Sequence, residues 1–350
     1  MAITLTALSD LSALGFDEII DVRSPAEYAE DHLPGAINLP VLDNEERARV
    51  GTIYKQESPF KARKIGAALV ARNSARHIEE TLIDRDGGWR PLVYCWRGGQ
   101  RSGSFATILS QIGWRVELVQ GGYKAWRKLV VEALYNTPVK APVVVLDGNT
   151  GTAKTELLQL MAARGVQIVD LEGLANHRGS LFGHMAGGQP SQKAFEGRLA
   201  MALDTLDPAR PVVIEAESSR VGDIRLPSEL WKAICAAPRI AVAAPLAARA
   251  AYLARAYADL TADRAELAAV IDKLRRLHAA ETIEHWHKLA AEGAFEELAG
   301  DLMARHYDPR YEKQRARTAA EGARVIEAPD LSPEALPGLA DRITEMVEKG

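Results

Sequence analysis

The chain has 350 residues, 47% of them hydrophobic, a formal net charge of −4 and two cysteines. That length can bury two cores, and the absence of any apolar run of about 18 residues excludes a membrane-spanning helix. The acidic total excludes a uniformly basic nucleic-acid coat, though it leaves room for a local basic face. Cys95 and Cys235 stand far apart with no CxxC or Cys/His spacing, so neither a disulfide framework nor a zinc site is expected. The first residues lack the basic start and small-residue cleavage site of a signal peptide, so a cytoplasmic home is expected.

In chain order, Glu18 to Val22 predicts a short strand, and Arg23-Ser24-Pro25 opens a helix carrying Glu27 and Tyr28. His32-Leu33-Pro34-Gly35 predicts a turn into a second strand ending near Leu39, with His32 expected as a hydrogen-bonded turn residue. Pro91 to Tyr94 predicts a buried strand, and Ser104 to Leu109 has helical spacing. Between them lies Cys95-Trp96-Arg97-Gly98-Gly99-Gln100-Arg101-Ser102, a loop expected to turn its amides inward at a helix N-terminus. The helix dipole and the charges of Arg97 and Arg101 would lower the thiol pKa, making Cys95 a candidate nucleophile. The plainer alternative is a small buried hydrophobe. Trp114 to Val119 predicts the last strand of this domain, and Gly121-Gly122 opens its last helix.

After a linker at 131–141, Val143 to Asp147 predicts a buried strand, followed by Gly148-Asn149-Thr150-Gly151-Thr152-Ala153-Lys154-Thr155. This is a Walker-type phosphate loop in which Gly148 and Gly151 let the backbone wrap a phosphate. Lys154 supplies charge, and the Thr155 hydroxyl is a candidate Mg²⁺ ligand. The loop departs from GxxxxGK[ST] at Ala153, which stands where a glycine is expected. Asp170, at a strand end, and Glu215 and Glu217, at another, are candidate metal-side or acid/base carboxylates.

The stretch Glu172 to Gly183 is polar and glycine-punctuated, and its His177 and Arg178 are candidate substrate contacts. Ala233-Ile234-Cys235-Ala236-Ala237 reads as core. Arg249 and Arg255 are candidate phosphate-facing lid arginines, with a solvated helix face as the equal alternative. From about 247 to 306 the chain predicts a helical insertion whose histidines show no metal spacing. Arg305-His306-Tyr307-Asp308-Pro309-Arg310-Tyr311 breaks it, and Tyr307 and Arg310 suit either RNA stacking and phosphate contact or an ordinary packed corner. Val325 to Glu327 and Pro333 to Lys349 predict a closing strand and helix. The fold expected is α/β: a first domain over 1–130, then a parallel α/β P-loop domain over 142–350.

The Asp21-Val22-Arg23 strand end, the His32-Leu33-Pro34-Gly35-Ala36 turn, the Cys95 loop and Gly121 to Trp126 together resemble the rhodanese family. The common loop of that family places arginine five residues after the cysteine, whereas Arg101 is six after Cys95, which resembles the loop of rhodanese-like phosphatases. That spacing implies an oxyanion larger than a bare sulfur atom, such as selenophosphate. Rhodanese-like and P-loop regions in this order, with Asp170 to Ser180, Glu215-Ala216-Glu217-Ser218, His306 to Tyr311, Asn44 to Arg47 and Val50 to Gln56, resemble the tRNA 2-selenouridine synthase family over the whole length. The resemblance implies replacement of sulfur by selenium in a wobble 2-thiouridine of tRNA, with selenophosphate as donor. It also implies an S-geranyl-2-thiouridine intermediate made from geranyl diphosphate. The sequence leaves open an ATP-dependent tRNA sulfurtransferase, a kinase-like P-loop protein with a phosphatase-like partner domain, and a non-catalytic tRNA adaptor.

Overall fold

The computed structural model describes residues 2–310 and 323–349. Two compact units emerge, Met1–Thr137 with Pro190–Thr205, and Pro138–Gln189 with Leu206–Gly350. Each is built on a five-stranded parallel sheet, as the alternation of strands and helices predicts.

The first unit contains strands β1 (Ala2–Ile3), β2 (Glu18–Asp21), β3 (Ala36–Asn38), β4 (Pro91–Tyr94) and β5 (Glu117–Val119) in the order β1-β5-β4-β2-β3. Helices α1 (Asp10–Ala13), α2 (Pro25–Glu30), α3 (Asn44–Gln56), α4 (Pro59–His77), α5 (Gln100–Ile112) and α6 (Gly122–Val131) accompany them. β4, central in the sheet, is buried along its whole length. Reciprocal capping fixes two helix starts: Ser24 with Glu27 and Pro25 opens α2, and Asp43 with Glu46 opens α3.

The expected linker is shorter than 131–141. Glu132–Asn136 forms a π-helical turn that buries Leu134 in the first unit. Helix α9 (Gln192–Asp204) also packs on this unit, although the sequence places it inside the second domain. Its buried Glu196 pairs with Arg127 and accepts hydrogen bonds from Tyr135 (2.7 Å) and Gln192 (2.9 Å), so all the partners of this carboxylate lie in the first unit.

The second unit contains β6 (Val143–Gly148), β7 (Gln167–Val169), β8 (Val212–Glu215), β11 (Arg239–Ala243) and β12 (Arg324–Glu327), in the order β12-β11-β6-β8-β7. A small antiparallel pair, β9 (Arg220–Val221) and β10 (Ile224–Arg225), stands apart from the sheet. Helices α7 (Lys154–Ala162), α8 (Leu171–Ala175), α10 (Ser228–Ala236) and α11 (Leu246–Ala256) follow strands or the phosphate loop. The expected helical insertion is present as α12 (Ala258–Ala262), α13 (Arg264–Asp272), α14 (Ala280–Glu292) and α15 (Phe295–Leu302) around a core centred on Trp286 and Ile283. A helix at Leu336–Glu348 closes against α7.

Candidate functional site

In the first unit, Cys95 sits at the C-terminal end of β4 with 3% of its surface exposed. The loop closes over it because Gly98 adopts φ +67°, and a Cβ there would meet the Val119 carbonyl at 2.9 Å. The N-terminus of α6 holds the loop from below, Tyr123 N–H donating to the Cys95 carbonyl (2.9 Å) and Lys124 N–H to that of Trp96 (3.1 Å). Burial pushes the Cys95 thiol up. That effect is outweighed by donors aimed at sulfur, the Ser102 hydroxyl (3.1 Å) first, then the backbone N–H groups of Ser102, Gly99 (3.2 Å) and Arg97, so the pKa falls below its ordinary value.

The expected contribution of Arg101 takes a different form. Its guanidinium turns to Glu27 (2.7 and 3.3 Å), which neutralises it, so hydrogen-bond donors and not a flanking cation favour the thiolate. Arg97 contributes its backbone N–H, and its side chain is exposed. His32 stacks on Tyr28 at 3.9 Å and bonds to its carbonyl, as a turn residue should.

Ser102 is a functional residue beyond the sequence candidates, and its signal is a hydroxyl in the first turn of α5, seven residues after the cysteine. Ser102→Ala should remove a charge-assisted hydrogen bond and lower the thiolate fraction near neutral pH about tenfold. The pH dependence of iodoacetamide labelling at Cys95 measures this.

A second missed feature supports the loop. Arg23, 1% exposed, pairs with Asp21 (2.6 Å) and lies over the Tyr123 ring at 4.1 Å. The Tyr94 hydroxyl donates to Asp21 (2.7 Å) and accepts from Leu33 N–H (3.1 Å), tying β2, β4 and the Pro-Gly turn together. The Asp21-Val22-Arg23 strand end therefore builds the floor on which the cysteine loop rests.

In the second unit, the phosphate loop links β6 to α7. Gly148 and Gly151 are required by geometry: added Cβ atoms would meet Thr152 Oγ1 at 2.4 Å and the Arg249 carbonyl at 3.0 Å. Ala153 adopts a left-handed conformation (φ +58°) with its methyl group buried, a strain of about 1 kcal/mol that a glycine would avoid. Lys154 Nζ donates to the Gly148 carbonyl (3.1 Å), spanning the loop, and the first N–H groups of α7 lack intrahelical acceptors. The loop forms one wall of a cavity of about 650 Å³.

Facing the loop is an acidic group. The Thr155 hydroxyl lies 2.8 Å from Glu172 Oε2 and 3.3 Å from Glu215 Oε2, and Glu215 accepts from Glu172 N–H (2.8 Å). Burial raises the pKa of all three of Glu172, Glu215 and Glu217, and their mutual repulsion pushes Glu215 and Glu217 further. Glu217 reaches about 8, with Glu172 as the proton-sharing neighbour. The residue missed from sequence is Glu172. Asp170, chosen instead, caps α8 through Gly173 N–H (2.7 Å) and accepts from Gln159 (2.6 Å), so both of its oxygens are engaged.

Among the described residues no cluster of three or more His, Cys, Asp or Glu side chains is disposed to hold a metal. Thr155 with Glu172 nevertheless presents two oxygen donors beside the phosphate loop, which suits Mg²⁺, an ion that takes its remaining ligands from phosphate and water.

The remaining candidates divide. Arg178 lines the cavity, paired with Asp259 (2.9 Å) and over the Tyr257 ring at 4.8 Å. His177 is buried, accepts from Gly179 N–H (3.1 Å) and braces the loop. Arg249 is neither a lid nor a solvated residue: it is 6% exposed, pairs with Asp308 (2.8 Å) and donates to the Thr150 carbonyl (3.2 Å), buttressing the phosphate loop from behind. Tyr307 and Arg310 line the cavity, and Tyr311 lies outside the described residues. Cys235 is exposed beside the cavity and not core, because Leu230 and Ile234 take the inward face of α10 and the next residue turns about 100° away.

His306 is held neutral. Arg310 donates to its Nε2 (3.1 Å), which leaves Nδ1–H to donate to His278 Nε2 (2.9 Å). Burial, then the charges of Arg310 and His278, push its pKa down to about 4. The unfolded chain takes up this proton near pH 6.5 and the folded site does not, so this contribution to stability is lost as pH falls from about 6.5 to about 4. The melting temperature should fall over that window, and His306→Gln should flatten the fall.

Together the fold and the two sites define a rhodanese-like domain joined to a P-loop domain. Family comparison agrees on both halves: residues 4–129 match the rhodanese-like domain, and residues 141–273 match the tRNA 2-selenouridine synthase AAA domain. The chain belongs to the tRNA 2-selenouridine synthase family. It is 32% identical to the tRNA 2-selenouridine synthase of Chromohalobacter salexigens over 88% of this chain and 90% of the relative. It is 38% identical to that of Alcanivorax borkumensis over 66% of this chain, and 37% identical to that of Nitrosomonas europaea over 69%. These last two matches span 64% of each relative's length. The resemblance noted in the cysteine loop, the phosphate loop and the carboxylate strand is thereby borne out at the level of the family.

Proposed function

We propose that this chain is a tRNA-modifying transferase that replaces sulfur by selenium at carbon 2 of a wobble 2-thiouridine. Selenophosphate is the selenium donor, and geranyl diphosphate first alkylates the sulfur. The observation that carries this reading is that the phosphate loop opens on a cavity of about 650 Å³ that adjoins a small apolar cleft. Phe182, Leu260, Leu267, Phe295, Leu298 and Met303 line it, and it shares Thr150, Ser180, Leu253, Tyr257 and Tyr307 with the phosphate cavity. A phosphate cradle with an oily annex suits an amphiphile with an anionic head and a hydrocarbon tail.

In the first step the thiouridine sulfur forms a bond to the allylic carbon as the carbon–oxygen bond breaks, and the diphosphate departs with the electron pair. Lys154 and the amides of the loop meet the charge that develops on the diphosphate. Mg²⁺ bound through Thr155 and Glu172 would neutralise part of that charge. In the second step selenium bonds to carbon 2 and expels geranyl thiolate, with Cys95 handling the selenium donor as a thiolate in its loop of N–H groups. Two roles suit that thiolate: attack on phosphorus, in which an S–P bond forms, the P–Se bond breaks and selenide departs toward carbon 2, or attack on selenium, in which a selenylsulfide forms and the P–Se electron pair leaves with phosphorus as phosphite.

The test is mass spectrometry of nucleosides from 2-thiouridine tRNA incubated with the protein and selenophosphate, with and without geranyl diphosphate. Geranylated thiouridine followed by selenouridine is expected. Formation of 2-thiouridine from uridine with consumption of ATP would replace this reading by that of an ATP-dependent sulfurtransferase. Partners under this proposal are tRNA, selenophosphate and geranyl diphosphate. Among the described residues no helix is long and apolar enough to cross a membrane.

A further inference from the structure

The hairpin formed by α3 and α4 in the first unit has a surface that neither half-reaction uses. From Asn44 to His77 eight Lys or Arg face three Asp or Glu, a net charge of +5 within a chain that totals −4. Packing sorts these residues by face. α4 turns Ala62, Leu69, Val70 and Ser74 to the core and leaves Arg63, Lys64, Arg72 and Arg76 exposed, while α3 buries Ile53 and exposes Arg49 and Lys55. The two helices meet where Val50 Cγ1 would lie 3.5 Å from a Cβ on Gly66, which fixes the exposed faces side by side.

Lys61 is paired with Glu57, and Arg47 approaches Glu27 at 3.8 Å. The other six cations make no ion pair among the described residues. Unneutralised like charges held close together on one rigid hairpin repel one another, so a polyanion is the partner that relieves them.

Two aromatic rings stand at the tip of the hairpin among these charges. Tyr54 is 52% exposed and Phe60 68% exposed, and Lys64 lies over the Phe60 ring at 5.2 Å. Along α4 the exposed positions between the cations are alanines, Ala67, Ala68, Ala71 and Ala75, whose small side chains permit close approach of a backbone. Cations for phosphates with isolated rings for unstacked bases is the chemistry of RNA recognition. The surface is also continuous with the cysteine site, since Glu27 joins Arg47 of α3 to Arg101 beside the Cys95 loop.

We propose that the α3–α4 hairpin is an RNA-docking face, its cations on backbone phosphates and Tyr54 and Phe60 on bases. This rests on tRNA being the substrate. None of the contacts anticipated from sequence lies on it.

The test is binding of unfractionated tRNA to the full chain across a salt series, comparing the wild type with Lys55→Gln/Arg63→Gln/Lys64→Gln and with Tyr54→Ala/Phe60→Ala. Each lost phosphate contact should reduce the slope of log affinity against log salt by about 0.7–0.9, hence by roughly 2 to 3 for the triple variant, with a loss of about 100-fold or more at 0.1 M salt. The aromatic variant should weaken binding about tenfold or more and leave the slope unchanged. Lysine acetylation of the wild type gives a readout independent of variant folding: tRNA should protect Lys55 and Lys64. Equal protection with and without tRNA, or a triple variant with wild-type slope and affinity, would overturn the docking face while leaving tRNA as substrate. A wild type without affinity for tRNA would overturn both.

Discussion

Lys154→Ala should abolish geranylation of thiouridine tRNA, with a rate loss of about two orders of magnitude or more, while leaving conversion of a pre-geranylated tRNA intact. The lysine spans the loop to the Gly148 carbonyl at 3.1 Å and so is already held where a phosphate would sit. An ammonium positioned there gains most as negative charge builds on the departing diphosphate, so its removal should act on the rate more than on ground-state affinity. Nucleoside mass spectrometry on both substrates separates the two steps. Tight ATP binding with tRNA-stimulated hydrolysis, lost in the same variant, would count decisively against a prenyl diphosphate at this loop. Two structural points favour the diphosphate: the apolar pocket adjoins the loop, and Ala153 fills with a methyl group the place where a glycine was expected.

Cys95→Ser should produce the complementary block. Selenouridine formation should fall by at least about a thousandfold while geranylated thiouridine accumulates, because a serine hydroxyl in the same loop remains protonated near neutral pH. The donors that lower the thiol pKa, Ser102 and the loop amides, would still be present, so a folded but inert loop is the expected state. Intact-protein mass spectrometry of the wild type with selenophosphate alone distinguishes a selenylsulfide on Cys95 from a thiolate that only cleaves the donor. Full selenation by the serine variant would remove Cys95 from the chemistry. Cys235→Ser, on the exposed face of α10, should leave selenation intact, although its place beside the cavity makes it open to alkylation.

Both parallel sheets were legible because their strands are short apolar runs followed by glycine turns, Pro91 to Tyr94 and Val143 to Asp147 being the clearest. The phosphate loop and cysteine loop were legible for the same reason: each needs particular residues at fixed spacing. What escaped was set by tertiary contact. Arg101 could be placed near Cys95 by counting, but only the fold brings Glu27 to it from 74 residues away. Arg249 reads as a surface arginine on an alanine-rich helix, and it became a buried buttress because Asp308 arrives from 59 residues downstream. Asp170 and Glu172 lie two residues apart. Which of them faces Thr155 depends on where α8 starts, a boundary that pattern alone locates only to a few residues.

The placement of α9 sets a constraint on the order in which this chain is made. The first unit ends its continuous stretch at Thr137, yet Glu196, which joins Arg127 and Tyr135, is still unsynthesised at that point. A ribosome must therefore extrude β6, α7, β7 and α8, with two of the five strands of a second sheet, before the earlier unit receives its last helix. Until then Arg127 and Tyr135 wait without their carboxylate partner. Cutting the gene at the 137–138 boundary would yield a rhodanese fragment lacking a helix, whereas a fragment supplemented with a peptide covering 190–205 should regain it.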